Sequence, residues 1–486
     1  MSSQHIDINS SPNANVQNFL EQTNLIDQSI NKAVLYFILS SVTWLLIGSI
    51  LALFSSVKLI QPNFFTFPEG FTFGRIEAMV RVCFLMGWCS NSIYAVSFWL
   101  MARLSSTPIK HGSILLIAGF LWNLAVTISI IGIFIGDMTG FNWVEFPSYT
   151  SGVYLLAYTF IGVWGIVAFK DKKNNYSYVS QWYILGALLW YPWIFVIGQF
   201  FLNWFPLRGV MQPIVHTWYV NNIFYLWLSP IALATCYYLI PKLSNIAIQS
   251  YHLSSLAFWT FVTFASWSSM SFLIGAPIPV WLTTTSIVFS ISLLLPMLIF
   301  AINLLGPYIN NSGEFKKSIP LGFILFASFS FLLLIGIKIF TSLTAINAIT
   351  HFTIFQQGHD WHMIYGFFSM AMFGFFYYLT PILLNNDWCN HRLIKLNLYS
   401  SIIGIIILLT SHYLGGFLQG LSFNDPKISF LEISINLHPW FLLKFTGTCI
   451  LFLSNCIFVI NIINLVIRTF LKNLPRLNVN SSEASL

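Results

Sequence analysis

The chain has 486 residues, of which 57% are hydrophobic and only 7% are charged, and its mean hydropathy is +0.77. A soluble globular domain carries about 25% charged residues, so this composition excludes a soluble fold. The net charge of +7 does not indicate a nucleic-acid partner, because the basic residues lie in short gaps between apolar runs and not in one patch.

The first 32 residues are polar and precede the first apolar run. No Lys or Arg occurs before Lys32, so this segment lacks the basic region of a secretory signal. We predict a flexible cytoplasmic tail over residues 1–32, a membrane domain over residues 33–468, and a second cytoplasmic tail over residues 469–486.

Twelve apolar runs follow the tail, and each is long enough to cross a membrane as a helix. A crossing helix needs about 20 apolar residues, and runs of this length are too long for the strands of a membrane barrel. The predicted helices cover residues 33–54, 79–100, 113–135, 152–169, 182–202, 218–240, 256–274, 282–305, 320–340, 361–384, 398–418 and 440–467. The sequence therefore predicts an all-α integral membrane protein with about twelve transmembrane helices.

The loops between the predicted helices differ in their content of basic residues. If the twelve helices alternate in direction, most Lys and Arg residues fall on one side of the membrane, and the opposite side holds only Lys58, Arg75, Arg208 and Lys427. Cytoplasmic loops are enriched in Lys and Arg. We therefore expect a multi-pass protein of the inner (cytoplasmic) membrane with both termini in the cytoplasm.

Six of the ten histidines map to the extracytoplasmic side or to the helix ends just below it: His216, His351, His359, His362, His412 and His438. Imidazole is a common ligand of haem iron and copper, so this distribution suggests a metal site. The alternative is a set of interfacial histidines that bind loops and water. His359 and His362 favour the first interpretation, because they lie three residues apart at the start of a helix.

Ionisable residues within the predicted helices are few. Three of them, Arg81, Lys338 and Lys444, lie near helix ends, and Asp137 lies just beyond one. Charged groups in the membrane interior are costly and often functional. Because these four lie near helix ends, we interpret them as side chains that extend to the membrane surface.

Ordered sequence blocks between the second and the twelfth predicted helix carry a resemblance to a known family. The blocks are Gly74-Arg75, Trp218-Tyr219-Val220-Asn221-Asn222, Tyr237-Tyr238-Leu239-Ile240-Pro241-Lys242, His351-Phe352-Thr353, Gly358-His359, Met372-Phe373-Gly374, Tyr377-Tyr378-Leu379-Thr380-Pro381, Gln419-Gly420 and Leu437-His438-Pro439-Trp440. In this order they resemble subunit I of haem-copper oxidases, particularly the cbb3-type cytochrome c oxidase branch. The resemblance implies a twelve-helix bundle.

The same resemblance implies a set of metal ligands that this chain largely lacks. The family binds a low-spin haem between histidines of helices two and ten, a high-spin haem through another histidine of helix ten, and copper through one histidine of helix six and a pair in helix seven. Only His359 matches, at the position of the high-spin haem ligand. The other positions carry different residues: Val80 in helix two, Trp361 in helix ten, Asn221 in helix six and residues 267–272 in helix seven.

The cofactor predictions follow from this comparison. The resemblance implies haem b with His359 as an axial ligand, and His362 and His412 are further candidates for a replacement site. Copper is not expected, because the amide of Asn221 and the hydroxyls of helix seven are poor replacements for imidazole.

Two functions remain open. The first is a subunit I-like component of a cbb3-type respiratory complex that transfers electrons in aerobic respiration through a partial haem site. Its expected partners are cytochrome c-type or other oxidase-like subunits. The second is a non-catalytic scaffold, assembly or transport protein derived from the oxidase fold, motivated by the unmatched ligand positions. The sequence alone does not decide whether the chain is an enzyme.

Overall fold

A computed structural model describes residues 12–65, 67–173, 176–310, 312–315 and 318–473 of the chain. Within these ranges the secondary structure is entirely helical, without strands. Residues 1–11 and 474–486, which belong to the two predicted tails, lie outside the described residues.

Twelve helices in the described part are long and apolar enough to cross a membrane, and they confirm the predicted fold. They are α1 (Thr23–Ile60), α2 (Phe73–Ser105), α3 (Gly112–Ile135), α4 (Thr150–Lys170), α5 (Val179–Trp204), α6 (Met211–Ser244), α7 (Tyr251–Leu273), α8 (Val280–Asn310), α9 (Ile319–Ser342), α10 (Ile354–Leu384), α11 (His391–Phe423) and α12 (Phe430–Lys472). Several extend beyond the predicted bounds, because a helix continues past its most apolar residues where the backbone hydrogen bonds continue.

The helical structure that leads into α1 begins earlier than expected, at Pro12. Within the predicted tail, Ile26 and Ile30 are buried, and Asn31 Nδ2 donates to the Leu383 carbonyl oxygen at 2.9 Å. Asp27 forms an ion pair with Arg103 of α2. The described part of the tail is therefore helical and its end packs on the bundle, which differs from the prediction of a flexible segment.

Three helices form the centre of the bundle. In the most apolar stretch of α2 and of α6, 94% of the residues are buried inside the protein, and in α10 the share is 78%, whereas no other membrane helix exceeds 56%. Helices that are surrounded by other helices on all sides bury every face. These three are also helices to which the family resemblance assigns metal ligands.

Each central helix contains a π-helical segment just after a position that the resemblance assigns to a ligand. The segments are Cys83–Cys89 in α2, Ile223–Leu228 in α6 and His362–Ser369 in α10. Short π-helical segments frequently lie at functional sites. The helical backbone is thus distorted just after Val80, Asn221 and Trp361, the residues that stand where the resemblance implies histidine ligands.

Candidate functional site

A cluster of four buried polar side chains joins α6, α9 and α10. Lys338 Nζ of α9 donates a hydrogen bond to Asn221 Oδ1 of α6 at 2.9 Å. The Tyr225 hydroxyl of α6 and His359 Nε2 of α10 share a hydrogen bond of 2.9 Å. Lys338 is only 2% exposed and His359 is 5% exposed. We call these four residues the Lys338 cluster.

The helical geometry of α6 places two members of this cluster side by side. Asn221 and Tyr225 are four residues apart, so their side chains lie on one face of α6. The amide of Asn221 is held from both ends, because Nδ2 donates to the Ala265 carbonyl oxygen of α7 at 2.8 Å while Oδ1 accepts from Lys338. Asn221 therefore connects α6 with both α7 and α9.

The Lys338 ammonium points into the bundle and lies against aromatic rings. Nζ is 4.6 Å from the ring centroid of Tyr225 and 5.4 Å from that of Phe272, which are distances of cation–π contacts. Among the residues that the structure describes, no carboxylate lies within 4 Å of this ammonium. The interpretation that Lys338 extends to the membrane surface is wrong, because its helix face is directed toward α6.

A cavity of about 160 Å³ adjoins the Lys338 cluster. Two hydrogen bonds order its wall: Trp143 Nε1 donates to Asp360 Oδ2 at 2.9 Å, and His216 Nε2 donates to the Asn142 carbonyl oxygen at 2.9 Å. Besides the cluster, its polar lining includes Asn142, Trp143, His216, Thr217, Gln356 and Asp360. The cavity wall therefore combines apolar surface with polar side chains that include a lysine and an aspartate.

The two further histidine candidates have other partners. His362 Nε2 and the Ser330 hydroxyl are 2.9 Å apart, and His362 Nδ1 lies 2.9 Å from the Tyr413 hydroxyl. His412 Nδ1 donates to the Leu408 carbonyl oxygen at 2.8 Å. In the described ranges, no group of three or more His, Cys, Asp or Glu side chains is arranged to hold a metal ion. A replacement site on His362 and His412 stays a prediction.

A second polar group, which we call the Arg81 cluster, connects α2 with the loop after α3. Arg81 Nη1 lies 3.4 Å from Glu77 Oε1, and Arg81 Nε donates a short hydrogen bond to Glu145. Ser55 donates to the second oxygen of Glu77. Burial raises the pKa of the Glu145 carboxyl, and the neighbouring Arg81 cation partly offsets this rise.

The Arg81 cluster also changes the interpretation of the ionisable residues near helix ends. Arg81 does not simply extend to the surface, because two carboxylates hold its guanidinium. Lys444 lines a cavity of about 310 Å³ together with Glu77, Arg81 and His412. Asp137 is exposed after the end of α3, as expected for a residue outside the membrane.

Aromatic side chains pack together beside Val80 of α2 and Trp361 of α10. The ring centroids of Phe84 and Trp361 are 5.4 Å apart, and those of Phe84 and Tyr365 are 5.1 Å apart. The cavity that remains beside Val80, Trp361 and Tyr365 measures only about 30 Å³. This is the region where the resemblance places a low-spin haem between two histidines.

The twelve helices and their distorted centre define a multi-pass membrane protein with the architecture of haem-copper oxidase subunit I. A solved heme-copper terminal oxidase dimer, studied by cryo-EM, contains a similar chain with a TM-score of 0.74. The match covers 90% of this chain and 84% of that chain at 14% sequence identity, so it concerns the fold.

Sequence comparisons identify the family. The sequence model described as Cytochrome C and Quinol oxidase polypeptide I matches residues 32–450, and the chain therefore belongs to this family. It is 24% identical to a cytochrome c oxidase subunit 1 homolog of Agrobacterium tumefaciens (strain T37), over 88% of this chain and 82% of the relative. It is also 24% identical to the cbb3-type cytochrome c oxidase subunit CcoN1 of Stutzerimonas stutzeri, over 87% of this chain and 92% of the relative.

Membership of this family has two consequences. Together with the twelve apolar helices, it indicates a multi-pass protein of the inner membrane. Oxidase subunits of this family normally bind haem and work within a membrane complex with other subunits.

The residues of this chain do not fit the copper ion that the family implies. The Lys338 ammonium donates to Asn221, the residue that the resemblance assigns to a copper-ligand position of α6. A copper ion placed beside this ammonium would meet like charge in a medium of low dielectric constant. Residues 267–272 offer hydroxyl, thioether and aromatic groups where a pair of imidazoles is expected.

The residues at the haem positions that the resemblance implies do not fit haem either. The low-spin position that the resemblance implies has neither imidazole and is packed with the aromatic rings of Phe84, Trp361 and Tyr365. His359, which the resemblance assigns to the high-spin position, has its Nε2 atom hydrogen-bonded to Tyr225. The adjoining cavity of about 160 Å³ is smaller than the ~300–1,000 Å³ of typical small-molecule sites. Haem b on His359 and the absence of copper stay predictions that metal analysis tests.

Proposed function

We propose that the chain is a subunit I-like component of a respiratory membrane complex related to cbb3-type oxidases, and that its own core does not reduce dioxygen. The hydrogen bond between Lys338 and Asn221 carries this proposal, because it puts a protein cation beside the position of a copper ligand. Family membership and the length of the match support a role inside a complex. Cytochrome c-type or other oxidase-like subunits are the proposed partners.

Spectroscopy and metal analysis of the purified complex test this proposal. We expect no copper in this subunit, because its imidazole ligands are missing, and no haem that reacts with carbon monoxide, because His359 Nε2 is hydrogen-bonded to Tyr225. The measurements are iron and copper per polypeptide, with reduced-minus-oxidised and carbon monoxide difference spectra. Two haems and one copper in this chain would refute the proposal.

A second function is a subunit with one haem on His359 that transfers electrons or binds a gas. The burial of His359 in the bundle centre is the observation in its favour, together with the resemblance that assigns this residue to a haem-ligand position. A single haem that reacts with carbon monoxide, lost in His359→Ala and retained in the neighbouring variant His362→Ala, would establish this function in place of the first.

The proposed orientation, with both termini in the cytoplasm, is tested through Cys389. This cysteine is exposed between α10 and α11, whereas Cys83, Cys89 and Cys236 are buried. We expect a membrane-impermeant maleimide to label Cys389 only after intact cells are permeabilised, because its loop is on the predicted cytoplasmic side. Cys389→Ser is the control for labelling elsewhere, and efficient labelling of Cys389 in intact cells would reverse the orientation.

A further inference from the structure

The Lys338 ammonium is a buried charge whose counter-ion is not in direct contact. An ammonium group has three N–H donors, and for Lys338 the structure gives one hydrogen-bond acceptor, Asn221 Oδ1. The aromatic rings of Tyr225 and Phe272 stabilise its positive charge but accept no conventional hydrogen bond. Burying a charge is strongly unfavourable unless it is paired. Asp360, the acidic residue of the adjoining cavity, lies farther than 4 Å from this ammonium, so an anionic ligand in the cavity would supply a direct partner.

The adjoining cavity has the size and the hydrogen-bond donors to hold a small anion beside the ammonium. Its volume of about 160 Å³ is a few times the ~30 Å³ that one water molecule occupies in the liquid. The lining includes the hydroxyl of Thr217 and the side-chain amide of Gln356, which are potential hydrogen-bond donors beside the ammonium.

We propose that this cavity binds a small monovalent anion, such as chloride or formate, with Lys338 as its main binding residue. The anion would pair with the ammonium and accept hydrogen bonds from the cavity wall. The proposal rests on the proposed function in one respect, since it requires that no copper ion occupies the neighbourhood of Asn221.

Asp360 is the acidic residue that opposes this anion. Its carboxylate lines the same cavity and is held in place by Trp143 Nε1. Because it lies farther than 4 Å from the Lys338 ammonium, it does not form a direct ion pair with it. It should weaken anion binding by charge repulsion, so its removal should strengthen binding.

The test is the thermal midpoint of the purified protein, titrated with sodium chloride or sodium formate at constant ionic strength against sodium gluconate. A ligand that binds only the folded state raises the midpoint with saturation. We expect a saturable rise for the wild type. In Asp360→Asn the half-saturating concentration should fall about tenfold, which is a typical size for removing one like charge nearby.

Two variants remove the binding site in different ways. Lys338→Met removes the cation, and Asn221→Asp places a carboxylate beside it, so both should abolish the saturable rise. Lys444→Met is the matched control. It removes another lysine of a membrane helix, and because Lys444 does not line this cavity, the variant should keep the saturable rise of the thermal midpoint. If Lys338→Met does not fold, Asn221→Asp alone tests the site.

The two proposals fail in different ways. A wild type without a saturable rise, or a rise that persists in Lys338→Met or in Asn221→Asp, would overturn the anion site. Copper measured in the same preparation would instead overturn the proposed function. A copper-free protein with a flat titration would leave the proposed function standing and refute only the anion site.

Discussion

Replacing Arg81 with methionine should destabilise the protein by about 3–5 kcal/mol, the cost typical of removing one partner from a buried ion pair. Arg81 is the cation between Glu77 and Glu145, and the Glu145 side chain is only 3% exposed. Methionine keeps a similar volume but leaves both carboxylates without their guanidinium. The measurement is the free energy of unfolding in a titration of mixed detergent micelles with sodium dodecyl sulphate.

The penalty of Arg81→Met should depend on pH through Glu145, which lies in the loop between α3 and α4. Burial raises the pKa of this carboxyl, and the positive charge of Arg81 limits this rise. When an acid has a higher pKa in the folded than in the unfolded state, the folded state binds protons more tightly. Stability is therefore lost as the pH rises from the ordinary pKa through the folded one.

Removal of Arg81 raises the pKa of Glu145 further, so the loss of stability should be larger at pH 8 than at pH 5. Glu145→Gln has no ionisable group at this position, and the double variant should recover part of the stability that Arg81→Met loses at pH 8. An equal penalty at both pH values would contradict this account of Glu145.

The fold was predictable because hydropathy along the chain reports membrane crossing directly. All twelve predicted helices are present, since each needs only a long apolar run and internal backbone hydrogen bonds. The bounds were less predictable. The start of α10 at Ile354 contains Gln356, His359 and Asp360, whose polarity obscures the helix in a search for apolar runs.

The site was only partly predictable, because position along a helix indicates depth but not direction. Lys338 lies near the end of α9, which suggested the membrane surface. Phe331, Leu334 and Ile335 precede it by one or two turns and are buried, which marks the inward face, but outward residues of α9 are apolar too. The sequence pattern therefore does not distinguish the faces of this helix.

Partners distant in sequence were the other part that could not be anticipated. His359 was recognised by its resemblance to a haem ligand, but its hydrogen bond to Tyr225 joins residues 134 positions apart. One signal was available for the Arg81 cluster: Glu77 precedes Arg81 by four residues, the spacing of an ion pair on one helix face. Nothing in the local sequence points to Glu145.

The Gln419-Gly420 pair, one of the blocks that carry the family resemblance, controls how α10 begins. Gln419 Oε1 accepts a hydrogen bond from the Ile354 backbone N–H at 2.9 Å. A Cβ atom on Gly420 would lie 1.7 Å from the carbonyl oxygen of Ile349 and 2.7 Å from its carbonyl carbon. Both atoms belong to the backbone, so a side chain at residue 420 would displace the segment that leads into α10.

We therefore expect Gly420→Ala to lower the free energy of unfolding by at least about 1–3 kcal/mol, the usual cost of overpacking a well-packed site. Because the displaced segment leads to His359, the variant should also weaken the anion-induced rise of the thermal midpoint. Gly152→Ala in α4 is the matched control, since a Cβ there meets no atom within 4 Å and alanine favours a helix by up to about 1 kcal/mol. Equal stabilities of the two variants would show that the close contact between Gly420 and Ile349 does not constrain α10.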